Sequence, residues 1–438
     1  IYSSRYAPIV GAALLRQQER RESRTISIEH TALFDYPVVC SAPLVLWSGD
    51  CFSIPLRHCG LHITHMVTLY LRASRVHRIG VFAILSVLLA LASCKDTTTV
   101  IVEPAPKQLD SIAIILNQGA FGTDNASLTR QDLKTRTTDV SWFSSANNNQ
   151  KLGSTANDIA VKGDTAFVTV TESKTVEILN LKTGKSLGRM TFTEGKEKPY
   201  LIEIISPALG VVSTNEGDGV RFFNPTTFQL LDAVKTGPAT EGIAVVGTSL
   251  WVCNTGFGDL RANEPGAGTI SVIDIASRAI TRTIAVAPNV RTLARSSDGK
   301  KVYAFYQHLY SKPDSLQGIV EYDASTYAVL RSVRLSSGGM VGIVNNTLLC
   351  TDYNPATFSS SNVLAIDLAA SGFTAKQFMA IPVGISSNGV SFNPLDNTYW
   401  FMNARDYKSN GEVVITSSSG VILRRFDVGV VPVGAIFF

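Results

Sequence analysis

Residues 242–286, GIAVVGTSLWVCNTGFGDLRANEPGAGTISVIDIASRAITRTIAV, hold four short apolar runs separated by turn residues. Gly242-Ile243-Ala244-Val245-Val246 reads as one strand, Ser249 to Asn254 as a second, Thr269 to Asp274 as a third and Ala279 to Val286 as a fourth. Runs this short, rich in β-branched residues and bounded by Gly, Asn and Ser, are strands and not helices. Working outward, the end of the third run, a polar residue followed by a turn, recurs along the chain. It returns as Asp132, Asn180, Asn224, Asp274, Asp323 and Asp367, with a degenerate seventh copy near Thr416, at intervals of 44 to 50 residues. That period is the size of one four-stranded propeller blade. The Asx side chain has a local task, bonding the backbone of the turn between third and fourth strands.

The two ends of this array are complementary fragments. Ser111 to Asn117 aligns with second strands such as Lys301 to Tyr306, so the first repeat lacks an inner strand, while Val433 to Phe438 reads as an inner strand with no blade after it. The reading is an all-β, seven-bladed β-propeller over residues 110–438, its first blade closed by the C-terminal strand. Closure removes the open sheet edges that a linear array would expose.

Of the 438 residues, 45% are hydrophobic and 17% charged, and the formal charge is +4. Residues 1–93 hold nine Arg, no Lys and five acids, which leaves 30 basic and 30 acidic groups in the rest. A neutral propeller disfavours nucleic acid as a partner, because phosphate binding needs an excess of Lys and Arg on one face.

Several segments resemble known families. Val212-Ser213-Thr214-Asn215, Trp251-Val252-Cys253-Asn254-Thr255 and Phe167-Val168-Thr169-Val170 are similar to the second-strand signature of YVTN-type, YncE-like propellers. Asn117-Gln118-Gly119-Ala120-Phe121-Gly122, Asn125 to Leu128 and Leu152 to Asp158 resemble the opening of the Bacteroidetes DUF5074 surface lipoproteins. The resemblance implies a propeller and, through some relatives, capture of corrinoids for a TonB-dependent transporter. It implies little else about the ligand, since one fold hosts many functions.

Upstream, residues 1–65 show no sustained periodicity and are read as lying outside the native protein. From Met66 the pattern is orderly: Arg72, Arg75, His77 and Arg78 precede an uncharged run from Ile79 to Leu91, too short to span a bilayer and suited to a signal peptide over 66–93. Leu91-Ala92-Ser93-Cys94 resembles a bacterial lipobox, which implies lipidation of Cys94 and a membrane anchor. Residues 94–109, with Pro104 and Pro106, read as a polar tether. Lys95-Asp96 resembles the start of the Bacteroidetes surface-export signal, so the expected location is the outer membrane, facing outward.

Catalysis is not expected. One histidine, His308, follows Cys94, too few for a multi-histidine metal site, and no phosphate-loop, nucleophile-elbow or zinc-protease motif occurs there. No cofactor and no metal are expected. Cys253 and Cys350, read at one position of two second strands, are expected to be buried free thiols.

The functional signal is loop length. Between second and third strands, repeats two and three have the short connections 172–174 and 216–219, whereas repeats four to seven have 256–268, 307–318, 353–361 and 404–411. Such loops share one face with the segments that enter each inner strand, and long loops on a rigid scaffold are where binding resides. They carry Phe257, Arg261, Tyr306, His308, Tyr310, Tyr353, Phe358, Arg405 and Tyr407, of the types that dominate recognition surfaces. The expected function is non-catalytic binding of a small-molecule or nutrient ligand, beside a transporter. The alternative is a cell-envelope protein-protein interaction scaffold.

Overall fold

The computed structural model describes residues 111–438 except 310, 313, 355, 356 and 358. The readings for 1–65, 66–93 and 94–109, Cys94 included, lie outside the described residues. Seven four-stranded antiparallel sheets follow one another, each running from an inner to an outer strand. In the fourth, the strands are Thr240–Val246, Ser249–Asn254, Thr269–Asp274 and Ile280–Ala285.

The middle strands read as unbroken apolar runs because both of their faces are buried. In Ile112–Asn117, Ile112, Ile114 and Leu116 pack against Ala166, Val168 and Val170 of the second blade. Ala113 and Ile115 point the other way, into a cluster with Trp400 and Met402 of the seventh. The same alternation at every junction makes seven apolar clusters, one between each pair of neighbouring blades. Outer strands such as Val329–Arg334 alternate with solvent instead.

Closure follows the expected pattern. Pro432–Phe437 pairs antiparallel with Ile112–Asn117, Ala113 opposite Phe437 and Ile115 opposite Ala435. Ile112 and Phe438 exchange backbone hydrogen bonds of 2.8 and 3.0 Å, and the Phe437 ring meets Trp400 edge-on at 4.9 Å.

The repeated polar residues do the turn work assigned to them. Oδ1 of Asp132, Asn180, Asn224, Asp274 and Asp323 accepts the N–H three residues on, and that of Asp367 the N–H two residues on. The seventh blade departs: Thr416 is buried, and the Ser417 hydroxyl accepts from Ser419 and Val421 instead.

Two features differ from the sequence reading. The outer strand of the first blade is only Thr138–Asp139, and a one-turn helix, α1 (Trp142–Ala146), follows it. Trp142 and Phe143 are buried there, and a Cβ at Gly184 would come within 2.9 Å of the Trp142 ring, so glycine lets the insertion dock on the second blade. Asn147 fixes it, donating to Gly184 O at 2.8 Å and accepting from Ser186 N at 2.8 Å. Second, Cys253 and Cys350 are free and buried as expected, but not equivalent. Cys253 is the fifth residue of its strand and Cys350 the fourth of Thr347–Asp352, and one step of pleat reverses the face. They therefore flank opposite sides of the fifth blade. Burial pushes the Cys350 thiol up to about 12 and raises Cys253 as well.

Candidate binding face

All seven inner strands are irregular near their start. Register shifts fall at Ala156/Asp158, Pro199/Ile202, Thr240/Ile243, Val290/Thr292, Ser337/Gly339 and Ser387/Val390, and at Leu116/Asn117 opposite the C-terminal strand. A bulge re-aims the side chain it carries. Four of them, at Asn157, Glu241, Arg291 and Asn388, place at the long-loop end of the propeller axis a polar group that bonds sideways to a neighbouring blade. Glu241 accepts from Arg291 Nε at 2.7 Å and from Asn215 Nδ2 at 3.2 Å. Gln307 continues the chain, taking Arg291 Nη1 at 3.4 Å and donating to Ser337 O at 3.1 Å. On the other side Gln118 donates to Asn157 at 2.9 Å, and Asn388 to Pro432 O at 3.4 Å. Sequence reading missed this ring. Its signal was available: a polar residue just ahead of the apolar inner run at 157, 241, 291 and 388.

The long loops stand around the ring and are tied to one another. Arg261 forks onto Asp218 of the third blade at 2.6 and 2.9 Å and onto Glu264 within its own loop. Burial works against the Asp218 anion, but the Arg261 fork and the Ala239 N–H outweigh it and hold the carboxyl below the usual range. The same hydrogen bonds raise Arg261 above its ordinary value. Asp259 accepts the N–H and hydroxyl of Ser311 in the fifth-blade loop at 2.7 and 3.1 Å.

The candidate residues divide by environment. Tyr306 is 8% exposed, packed between the fourth and fifth blades, and burial raises its phenol. His308 is buried, lies 3.2 Å from Gln317 through Nδ1 and stacks on Tyr353 of the sixth blade with centroids 5.6 Å apart. Tyr353 is itself 8% exposed. These three therefore bind loops to blades and offer almost no ring surface to a ligand. Arg405 is more exposed, yet it turns outward to Asp427 at 2.7 Å and Glu412 at 3.4 Å. Phe257 and Tyr407 are half-buried, and both hold positive φ. The Tyr407 hydroxyl lies 3.3 Å from Ser386 Oγ. Tyr310 and Phe358 lie outside the described residues.

What this face adds is a set of apolar tips among exposed charged residues such as Asp124, Glu264, Lys312 and Asp406. Phe121, Leu260, Leu316 and Val383 are exposed at its loop tips, Val383 at 99%. Phe121 belongs to a long connection of the first blade, 118–126, which the loop-length reading passed over. Among the described residues no three His, Cys, Asp or Glu side chains form a cluster able to hold a metal ion.

A family profile described as "Domain of unknown function (DUF5074)" matches residues 113–361. No curated protein matches the chain. Among solved structures, a quinonprotein alcohol dehydrogenase-like protein from Bacteroides thetaiotaomicron is similar at 15% identity and TM-score 0.56, covering 75% of this chain and 78% of that one. A functionally unknown protein from Desulfotomaculum acetoxidans matches at 12% and 0.54, over 75% and 98%. A 6-phosphogluconolactonase candidate from Bacteroides fragilis matches at 13% and 0.53, over 76% and 99%. At such identities the likeness extends to the fold alone.

Proposed function

Because the chain belongs to the family described as a domain of unknown function, DUF5074, which brings no activity with it, we propose a role from its own geometry: non-catalytic binding through the long-loop face. The observation that carries this is the set of exposed apolar tips, Phe121, Leu260, Leu316 and Val383, the first three on loops already fixed by polar contacts between blades. Exposed apolar groups on a rigid, prearranged base favour association at low ordering cost.

The occupant proposed is a large amphipathic ligand. A corrinoid ranks first, on the family resemblance, and a TonB-dependent transporter would be the partner that receives it. The protein would be held at the outer membrane by acyl chains on Cys94. Titrating purified protein with cobalamin tests the ligand. Binding is expected in the wild type and at least about tenfold weaker when the four apolar tips are changed to Ser; no binding by the wild type rejects the corrinoid. The scaffold reading then takes over, and co-purification of an envelope protein that the four-Ser variant loses would support it. Fatty-acid labelling of wild type and Cys94→Ala tests the anchor, with loss of label expected in the variant.

A further inference from the structure

The opposite end of the axis is built differently. Here short hairpins join inner to second strands, and they leave a half-open cavity of about 510 Å³, inside the size range of small-molecule sites. Four consecutive blades line it, with aliphatic walls from Val246, Leu293, Met340 and Ile343. A second bulge, between Met340 and Gly342, shapes the sixth-blade wall, and a Cβ at Gly342 would meet nothing within 4 Å.

Three charged residues share this lining, Glu203, Asp298 and Arg295, so its net charge is negative. Arg295 is already engaged: its Nη1 donates to Val245 O, and its Nη2 pairs with Glu203 Oε1 at 3.7 Å. Glu203 is engaged in turn, its Oε2 accepting the Val245 N–H at 3.1 Å. Those two charges offset each other, which leaves Asp298. Its Oδ1 accepts from Ser296 Oγ at 2.6 Å and from Lys300 N at 3.1 Å, bonds that hold the carboxyl below its usual range and keep it ionised near neutrality. Among the described residues its Oδ2 faces only the Lys300 ammonium, 4.0 Å away, beyond hydrogen-bond reach and 80% exposed. Lys300 is not part of the lining. The polar capacity left at the cavity is therefore acceptor capacity on an anion, which a positively charged group with several N–H donors and no acceptor satisfies. No aromatic residue lines the cavity, so a quaternary ammonium, which is held by aromatic faces, finds no partner here. A primary ammonium on a short aliphatic chain matches both the carboxylate and the walls.

We propose that this cavity is a second ligand site, for a small primary aliphatic amine in its ammonium form, which donates to Asp298 Oδ2 and lays its hydrocarbon against Val246, Leu293, Met340 and Ile343. The site lies at the other end of the propeller from the long-loop face and stands or falls independently of it.

Methionine methyl NMR at neutral pH tests it, with hexylamine as the probe. Met190, Met340, Met379 and Met402 are the methionines of the described region, and only Met340 lines the cavity. The Met340 resonance should move saturably with hexylamine while the other three stay still. Asp298→Asn keeps the Oδ1 acceptor of its hairpin but removes the charge, and should weaken binding about threefold or more. Hexan-1-ol should bind the wild type more weakly than the amine by a similar factor. Arg295→Gln should bind the amine at least as well as the wild type, since it leaves Glu203 unopposed. Unchanged resonances of the other methionines report that each variant is folded. A Met340 signal unmoved by millimolar hexylamine, equal affinities for the amine and the alcohol, undiminished binding by Asp298→Asn, or weaker binding by Arg295→Gln would each overturn the proposal.

Discussion

Strand Val290–Arg295 carries an arginine near each end, and the propeller uses them in opposite ways. Arg291, at the long-loop end, is 10% exposed and meets a 2% exposed Glu241 at 2.7 Å within a chain of bonds across four blades. Arg295, at the hairpin end, is half in solvent and 3.7 Å from its carboxylate. The difference follows from backbone geometry. The bulge after Val290 aims Arg291 at its neighbours, whereas Arg295 opens a hairpin that has no long loop to cover it. One end of the axis is consolidated by polar bonds and shows apolar loop tips; the other keeps an aliphatic hollow and a half-exposed, loosely paired cation.

The sharpest way to break this comparison is to remove each arginine in turn. Arg291→Met should cost about 3–5 kcal/mol, because it strands the Glu241 carboxylate in the interior. Arg295→Met should cost less than about 0.5 kcal/mol, since its ion pair is long and solvent-screened. Urea midpoints followed by tryptophan fluorescence give both numbers, and equal losses would refute the distinction. Combining Arg291→Met with Glu241→Met should recover much of the loss, since deleting a buried pair whole is often close to neutral.

A smaller effect is expected where the loops are tied. Arg261→Ala should cost about 1 kcal/mol, as a partly exposed fork to Asp218 allows no more. The pH dependence has a definite sign. The Asp218 carboxyl titrates lower when folded than its unfolded value of about 3.9, so its contribution is present above that value and lost as pH falls through the folded one. Asp218→Asn should therefore be less stable than wild type near neutrality, with the gap closing in acid. A gap constant from pH 7 to pH 2.5 would show that the ionised pair contributes nothing.

The sequence made the blades legible because two local signals coincide in them. Asx turns recur at Asp132, Asn180, Asn224, Asp274, Asp323 and Asp367, and apolar second strands such as LWVC and VYAFY bury both faces at once. Loop lengths were equally legible, being simple counts between strands. What the loops' side chains do was not. Whether Tyr306 faces solvent or the fourth blade depends on pleat parity, and Cys253 and Cys350 show that one residue of offset sends a side chain to the other face. The polar ring was hidden for a related reason: a bulge changes the direction of Asn157, Glu241 and Arg291 without changing the apolar pattern that follows them. Helix α1 is a third case, decided by whether Trp142 finds a glycine to pack on.

The central claim, that the long-loop end is the recognition face, is tested most directly by carbene footprinting of the protein in intact cells against the purified protein. Labelling should fall in the cells at Phe121, Leu260, Leu316 and Val383, and remain unchanged at Val421, Ile422 and Leu423, which are exposed on the hairpin side of the seventh blade. Protection of Val421 to Leu423 with the four loop tips still labelled would place recognition at the opposite end and contradict the account.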